Sequence, residues 1–236
     1  MSQNKFRFGI MGGMGPMAGV LLQKLIIENT PAEKDQDHIQ VVCFTDPKIP
    51  DRTEFLQKGK NNELVSAIAK SIKVLEKAEV NIVAMTCNTA HTCFQEIQDA
   101  VSVPMFSMIE IAFEKLKELN VSSVGVLATN GTIQSGVFNN ENIETVYLKE
   151  SDQKQLMDII YKEIKAGKYN DTEVTSQLNL LIQKLKKDGA EAIILGCTEL
   201  SLYHPLLKGE NILDPLDLLA KRVVELSGFS PSKYVG

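Results

Sequence analysis

No stretch of this 236-residue sequence approaches the roughly 18 consecutive apolar residues that a membrane-spanning helix needs. Residues 8–20 are largely apolar, but five glycines and Pro16 interrupt them, so they do not predict the apolar core of a signal peptide. An excess of basic charge is also missing, because 25 Lys and Arg stand against 30 Asp and Glu and leave a net charge of −5. Phosphate backbones bind clustered Lys and Arg, so we expect neither a nucleic-acid nor a membrane partner.

Cysteine is scarce as well, with four residues in the whole chain. Without a predicted export signal, we expect a cytoplasmic protein in which these thiols are reduced rather than paired in disulfides. The rest of the composition, 44% hydrophobic and 23% charged, is that of an ordinary globular protein. A chain of this length holds one large or two small domains.

Short apolar runs alternate with longer amphipathic segments, which is the pattern of parallel strands joined by helices. Strands are predicted at residues 7–11, 39–45, 80–85, 105–108, 123–127, 145–147, 190–195 and 211–213. Helices are predicted at residues 16–28, 62–77, 90–100, 109–118, 152–166, 172–187 and 215–226. The sequence therefore predicts an α/β fold.

The two halves of the sequence are similar to each other. Residues 8–15 align with residues 124–131, and the helix, strand and cysteine at 62–87 align with those at 172–197. This repetition predicts two Rossmann-like lobes, each a mainly parallel sheet flanked by helices. Ligands of such sheets bind beyond the carboxyl ends of the strands, so the cleft between the lobes is the predicted active site. The predicted division is a first lobe at 1–102 completed by 210–236, and a second lobe at 103–209.

Two of the cysteines, Cys87 and Cys197, each end a predicted strand. Each is followed by a polar pair suited to capping a helix, Asn88-Thr89 and Thr198-Glu199. A thiol at a helix N-terminus can have a lowered pKa, because the helix dipole and free N–H groups favour the thiolate. Cys43 and Cys93 lie inside a predicted strand and a predicted helix, and we expect them to be packing residues.

A pair of opposed thiols suits the inversion of a carbon centre. Inversion removes a proton from one face of Cα and returns a proton to the other face, which a single base does not easily do. A thiolate would act as the general base and a thiol as the general acid, with the roles exchanged for the other enantiomer. Donors must also hold the substrate carboxylate, and the candidates are helix N-termini, Asn88, Thr89, Thr129 and Thr198.

A metal site at Cys87, His91 and Cys93 has the right types of ligand for zinc. On a helix, however, Cys93 lies two residues past His91 and therefore on a different face. The three side chains are not expected to converge, so no metal is predicted.

A nicotinamide-binding oxidoreductase is a second alternative, because Gly13-x-Gly15 follows the first strand and precedes a helix. The third glycine, Gly19, comes one residue late for the dinucleotide-binding pattern, and Asp46 lies beyond the place expected for the ribose-binding acid. Pro16 also removes an N–H from the phosphate cradle. These departures weaken the oxidoreductase interpretation.

Several segments resemble motifs of the aspartate/glutamate racemase family, closest to its aspartate racemase and broad-specificity amino-acid racemase branch. They span nearly the whole chain in order, at residues 9–16, 50–53, 86–91, 127–129, 164–167 and 196–200. The resemblance implies a pyridoxal-independent racemase that uses no cofactor and is usually a homodimer. It implies a small acidic amino acid as substrate, with aspartate favoured and glutamate or a broader range as the other possibilities.

The resemblance also implies roles for individual residues. The two strand-end cysteines would be the acid/base pair, and Arg52 and Lys165 would reach the side-chain carboxylate of the substrate. Met14 and Glu199, which lie within the matching motifs, complete the predicted substrate-binding set.

Four residues at three places in the sequence depart from the family pattern. Glu199 stands where glutamate racemases have His, which disfavours glutamate as the sole substrate. Thr92-Cys93 replaces a bulkier residue, and Gly19 stands where a hydroxyl residue is common.

A non-catalytic protein that binds a small ligand is the alternative from another class of function. Within the superfamily, the alternatives are hydantoin racemase, maleate isomerase and decarboxylase reactions.

Overall fold

A computed structural model describes residues 6–231 of the chain, and within them all eight predicted strands are present in two separate sheets. The strands of the first sheet are β1 (Arg7–Gly12), β2 (Gln40–Thr45), β3 (Ile82–Met85) and β4 (Met105–Phe106). Those of the second are β5 (Ser123–Leu127), β6 (Glu144–Val146), β7 (Ala192–Leu195) and β8 (Ile212–Leu213). The strand orders are β2-β1-β3-β4 and β6-β5-β7-β8, and every pairing is parallel. The matching orders confirm the predicted α/β fold of two similar lobes.

Nine α-helices flank the sheets in the described part of the chain. They are α1 (Pro16–Asn29), α2 (Arg52–Gln57), α3 (Asn61–Lys77), α4 (Phe94–Asp99), α5 (Met108–Leu119), α6 (Asn130–Ser135), α7 (Glu150–Asp158), α8 (Thr172–Lys187) and α9 (Pro215–Leu226). Short 3-10 helices lie at Asp35–Asp37, Thr89–Cys93 and Leu200–Leu206, and a π-helical turn at Ile159–Ile164 continues α7. None of the helices within residues 6–231 is long and apolar enough to cross a membrane.

The helix α3 shows how apolar spacing determines packing. Its residues Leu64, Ile68, Ile72 and Leu75 follow at intervals of four, four and three, so they form one stripe along the helix. All four are completely buried and share a core with side chains of the first sheet. Burying each such side chain contributes roughly 1.5–3 kcal/mol, and α8 repeats the arrangement in the second lobe.

Strand pairing divides the chain differently from the predicted lobe boundaries at two short edge strands. The predicted second lobe begins at residue 103, but β4 pairs with β3 in the first sheet. The predicted return to the first lobe begins at residue 210, but β8 pairs with β7 in the second sheet. The helix α9 packs against α1, and its Leu216 shares a core with Phe8 and Ile10. The division into lobes stays a prediction, and the pairings favour boundaries after β4 and after β8.

Candidate active site

A cavity of about 310 Å³, counting its opening to solvent, lies beyond the carboxyl ends of β1, β3, β5 and β7. This is the edge at which open parallel sheets bind ligands. Every residue named from the sequence as a site residue lines this cavity: Met14, Arg52, Cys87, Asn88, Thr89, Thr129, Lys165, Cys197, Thr198 and Glu199. The structure thus brings the ten together, and their individual roles stay predictions.

Cys87 lies two residues after β3, beside the guanidinium of Arg52. Burial acts to lower the pKa of Arg52, but the neighbouring Cys87 and Asp51 outweigh it and raise that pKa. The guanidinium is held in place because Nη1 donates to the carbonyl of Pro50 at 2.9 Å and Nη2 donates to that of Met14 at 3.2 Å. Its Nε is buried without a hydrogen-bond partner. A fixed cation whose buried Nε–H has no partner therefore stands beside Cys87.

Cys197 has a different neighbour, since its thiol donates to Oε2 of Glu199 at 3.0 Å. Burial and then Glu199 raise the pKa of Cys197 well above its usual value, although Lys165 acts in the opposite direction. Nζ of Lys165 lies 3.4 Å from Oε1 of the same carboxylate. Burial alone would lower the pKa of Lys165, but Glu199 and Cys197 raise it. The lowered thiol pKa expected from the sequence is therefore wrong for Cys197.

The predicted helix caps after the two cysteines are also wrong. Both following segments, Thr89–Cys93 and Leu200–Leu206, begin as 3-10 helices, so the predicted α-helix at 90–100 starts only at α4. Neither Asn88 nor Glu199, at the starts of these segments, makes a side-chain capping hydrogen bond. These short 3-10 segments therefore do not provide the α-helix N-termini that were expected to activate the thiols.

The polar side chains expected to cap helices instead join the two lobes. Nδ2 of Asn88 donates to the carbonyl of Leu195 at 3.5 Å, and Oγ1 of Thr198 donates to that of Thr86 at 3.3 Å. Each bond reaches the end of a strand in the other sheet. Buried carbonyls need donors, and these two bonds supply them while holding the cysteine loops against each other.

A group of threonines completes this junction. The Oγ1 atoms of Thr89 and Thr132 lie 2.7 Å apart, and that of Thr129 lies 3.1 Å from Thr132. Thr129 also caps α6 by accepting from the N–H of Thr132. The hydroxyls therefore fix the loop after β5 against the segment after Cys87.

His91 supports the Cys87 loop from behind and does not line the cavity. Burial lowers its pKa to about 4, so the imidazole is neutral near pH 7. Its Nε2 accepts from the N–H of Met108 at 3.2 Å, which leaves Nδ1 to donate to the carbonyl of Cys87 at 2.8 Å. Both ring nitrogens are therefore used in positioning the backbone.

Four further cavity residues were not named from the sequence: Asp51, Thr53, Gly196 and Tyr161. The first three adjoin named residues and could have been found by including the neighbours of each motif. Tyr161 lies in the π-helical turn, and its ring centroid is 4.5 Å from Nζ of Lys165. Such turns are frequent at functional sites, but no pattern in this sequence marks one.

The paired sheets and the cavity at their junction define a two-lobed α/β protein of the racemase type. The chain belongs to the Asp/Glu/Hydantoin racemase family, whose sequence model matches residues 11–223. This finding confirms the family resemblance seen in the motifs.

Individual relatives agree with this assignment. The broad specificity amino-acid racemase RacX of Bacillus subtilis is 28% identical over 226 residues, which cover 92% of this chain and 96% of that protein. The aspartate racemase of Picrophilus torridus superposes with a TM-score of 0.80 at 32% identity, over 97% of this chain and 96% of its own. An aspartate racemase homologue from Pyrococcus horikoshii has the same fold, with a TM-score of 0.74 at 24% identity over 94% of this chain and 99% of that one.

Proposed function

We propose that this protein interconverts the L and D enantiomers of a small acidic amino acid, preferably aspartate, by proton transfer between Cys87 and Cys197. The observation that carries the proposal is that thiols from the two lobes line one cavity together with the cations of Arg52 and Lys165. The similarity to the aspartate racemase of Picrophilus torridus supports the choice of substrate.

In the proposed reaction, the sulfur of Cys87 starts as a thiolate and takes the proton from Cα. The thiol of Cys197 then gives its proton to the opposite face of the carbanion, so the product carries the inverted configuration. The enzyme is left with a thiol at Cys87 and a thiolate at Cys197, which is the form that accepts the other enantiomer. The guanidinium beside Cys87 and the carboxylate beside Cys197 suit these starting charges.

The polar atoms of the cavity match an amino acid with two carboxylates. Nε of Arg52 is a buried donor without a partner, and Oδ1 of Asn88 is a buried acceptor without one. Oε1 of Glu199 lies 3.4 Å from Nζ of Lys165 but accepts no hydrogen bond. Leaving a buried polar group unpaired costs about 1–3 kcal/mol, and a bound zwitterion would satisfy them. We assign the ammonium group to the acceptors, and a side-chain carboxylate to Arg52 and Lys165.

The test of this function is racemisation by the purified protein with no cofactor added. We expect the circular dichroism signal of L-aspartate and of D-aspartate to decay to zero, and to decay faster than the signals of neutral amino acids in the same panel. If aspartate binds in calorimetry but neither enantiomer is converted, the protein is a binding protein and the proposal is wrong.

The assignment of Arg52 is tested by comparing aspartate with asparagine, which has the same shape without the second charge. Arg52→Ala should raise the Kd of aspartate roughly 10- to 100-fold, because a charge-assisted hydrogen bond contributes about 1.5–3 kcal/mol. The inhibition or binding constant of asparagine should change only a few-fold. Equal losses for the two ligands would argue against the carboxylate assignment.

A further inference from the structure

The two thiols of the cavity have different neighbours, although the lobes that carry them are similar. Glu199 lies two residues after Cys197, and its carboxylate accepts a hydrogen bond from the thiol. Two residues after Cys87 stands Thr89, whose hydroxyl bonds to Thr132 at 2.7 Å. Only one of the two sulfurs therefore has a carboxylate supplied by its own loop.

The position of this carboxylate favours the protonated sulfur. Ionising Cys197 would place two negative charges 3.0 Å apart, in a site where both residues are at least nine-tenths buried. Charges interact strongly in such surroundings because little water screens them. Lys165, at 3.4 Å from Oε1, offsets part of this repulsion and holds the carboxylate in place. The geometry therefore keeps a proton on Cys197.

We propose that Glu199, in addition to its assigned contact with the substrate ammonium group, holds the proton on Cys197 in the free enzyme through Oε2, so that the two directions of racemisation start from unequally populated forms. This inference rests on the proposed function, because it takes Cys197 to be the proton donor. Titratable or charged groups from the other elements around the cavity also face this site: Lys165, Tyr161, Arg52, Asp51 and Cys87. Of these, Lys165 counteracts Glu199, and the hydrogen bond of the Cys197 thiol is to the Glu199 carboxylate.

The unequal populations have a kinetic consequence. The enantiomer that presents its Cα–H to Cys87 binds a form in which Cys197 keeps its proton, whereas the other enantiomer needs the form in which Cys197 is ionised. The apparent KM of that second enantiomer equals its intrinsic KM divided by the fraction of the enzyme in which Cys197 is ionised. Because the two enantiomers have equal free energy, kcat/KM is equal in both directions. The asymmetry therefore shows as KM and kcat values that differ between the enantiomers in the same proportion.

The direct test uses Glu199→Gln, which removes the charge and keeps the size of the side chain. In a Cys87→Ser background, alkylation of Cys197 by iodoacetamide is followed across pH, with peptide mass spectrometry to separate it from Cys43 and Cys93. We expect the reaction at neutral pH to become roughly tenfold faster or more, since each unit by which a thiol pKa falls raises the thiolate fraction about tenfold. With Cys87 intact, the KM ratio of the two enantiomers should move towards one.

The control is Glu118→Gln, which removes the same charge from the exposed ion pair with Lys115 and should leave the alkylation profile of Cys197 unchanged. An unchanged profile in folded Glu199→Gln would overturn the inference. If Glu199→Gln does not fold, Glu199→Asp is used instead, because its shorter side chain moves the carboxylate away from the thiol. An unchanged alkylation rate of Cys197 in Glu199→Asp would also overturn the inference. Alkylation needs no turnover, so a protein that shows the shift but racemises no amino acid refutes the proposed function and not the proton-holding contact.

Discussion

Racemisation of aspartate should fall by roughly 10²- to 10⁴-fold when either Cys87 or Cys197 is replaced by serine, because that is the range supplied by a positioned acid or base. Serine keeps the approximate size of the side chain, but its hydroxyl neither ionises nor gives up a proton readily near neutral pH. The rate is measured by circular dichroism from both enantiomers. Cys43→Ser is the control, since Cys43 does not line the cavity. The buried packing role expected for Cys43 from the sequence is wrong, because this residue is exposed on β2.

The same variants distinguish a two-base reaction from a reaction at one thiol. In heavy water, a protein that retains only Cys87 can still remove the Cα–H that faces Cys87 and return deuterium to the same face. We therefore expect Cys197→Ser to exchange one enantiomer without inverting it, and Cys87→Ser to exchange the other, as measured by proton NMR. Full racemisation by either variant, or exchange of the same enantiomer by both, would contradict the proposed mechanism.

The parts of the fold that could be predicted are those in which local pattern and packing agree. The helix α8 was predicted with its observed bounds, because an apolar stripe ending in lysines follows Asp171, whose side chain accepts from the N–H groups of Glu173 and Val174. The short helices α2 and α6 were missed, since six residues are too few to show a helical period. The ends of the two strands that precede the cysteines could also be predicted, because buried parallel strands are continuous apolar runs.

The environment of each thiol could not be predicted in the same way. Asn88 and Thr198 have good capping propensity, but in the folded chain they donate across the junction to carbonyls of the other lobe. The contact between Glu199 and Cys197 depends on a 3-10 segment that turns the carboxylate back onto the thiol. Capping propensity describes a single helix, whereas these contacts depend on how two lobes meet.

The meeting of the lobes also depends on a glycine that lies outside the cavity, and its replacement should lower both activity and stability. Gly131 in α6 packs against Thr53 in α2, so a Cβ at this position would lie 2.4 Å from Oγ1 and 2.9 Å from Cα of Thr53. Backbone this close cannot be accommodated by a side-chain rotation, so Gly131→Ala must push α2 away from α6. Arg52 adjoins Thr53, and its guanidinium would move relative to Cys87.

We expect Gly131→Ala to lower kcat/KM for aspartate about 100-fold, the loss that follows when a reacting group is displaced by about 1 Å. Overpacking should also lower the free energy of unfolding by about 1–3 kcal/mol, measured by urea denaturation. Gly19→Ala is the matched control, because it adds the same methyl group to α1 where the nearest atom is 3.5 Å away; its activity should be close to that of the wild type. Normal turnover by a folded Gly131→Ala protein would mean that the cavity tolerates movement of α2, and Arg52 would then need no fixed position beside Cys87.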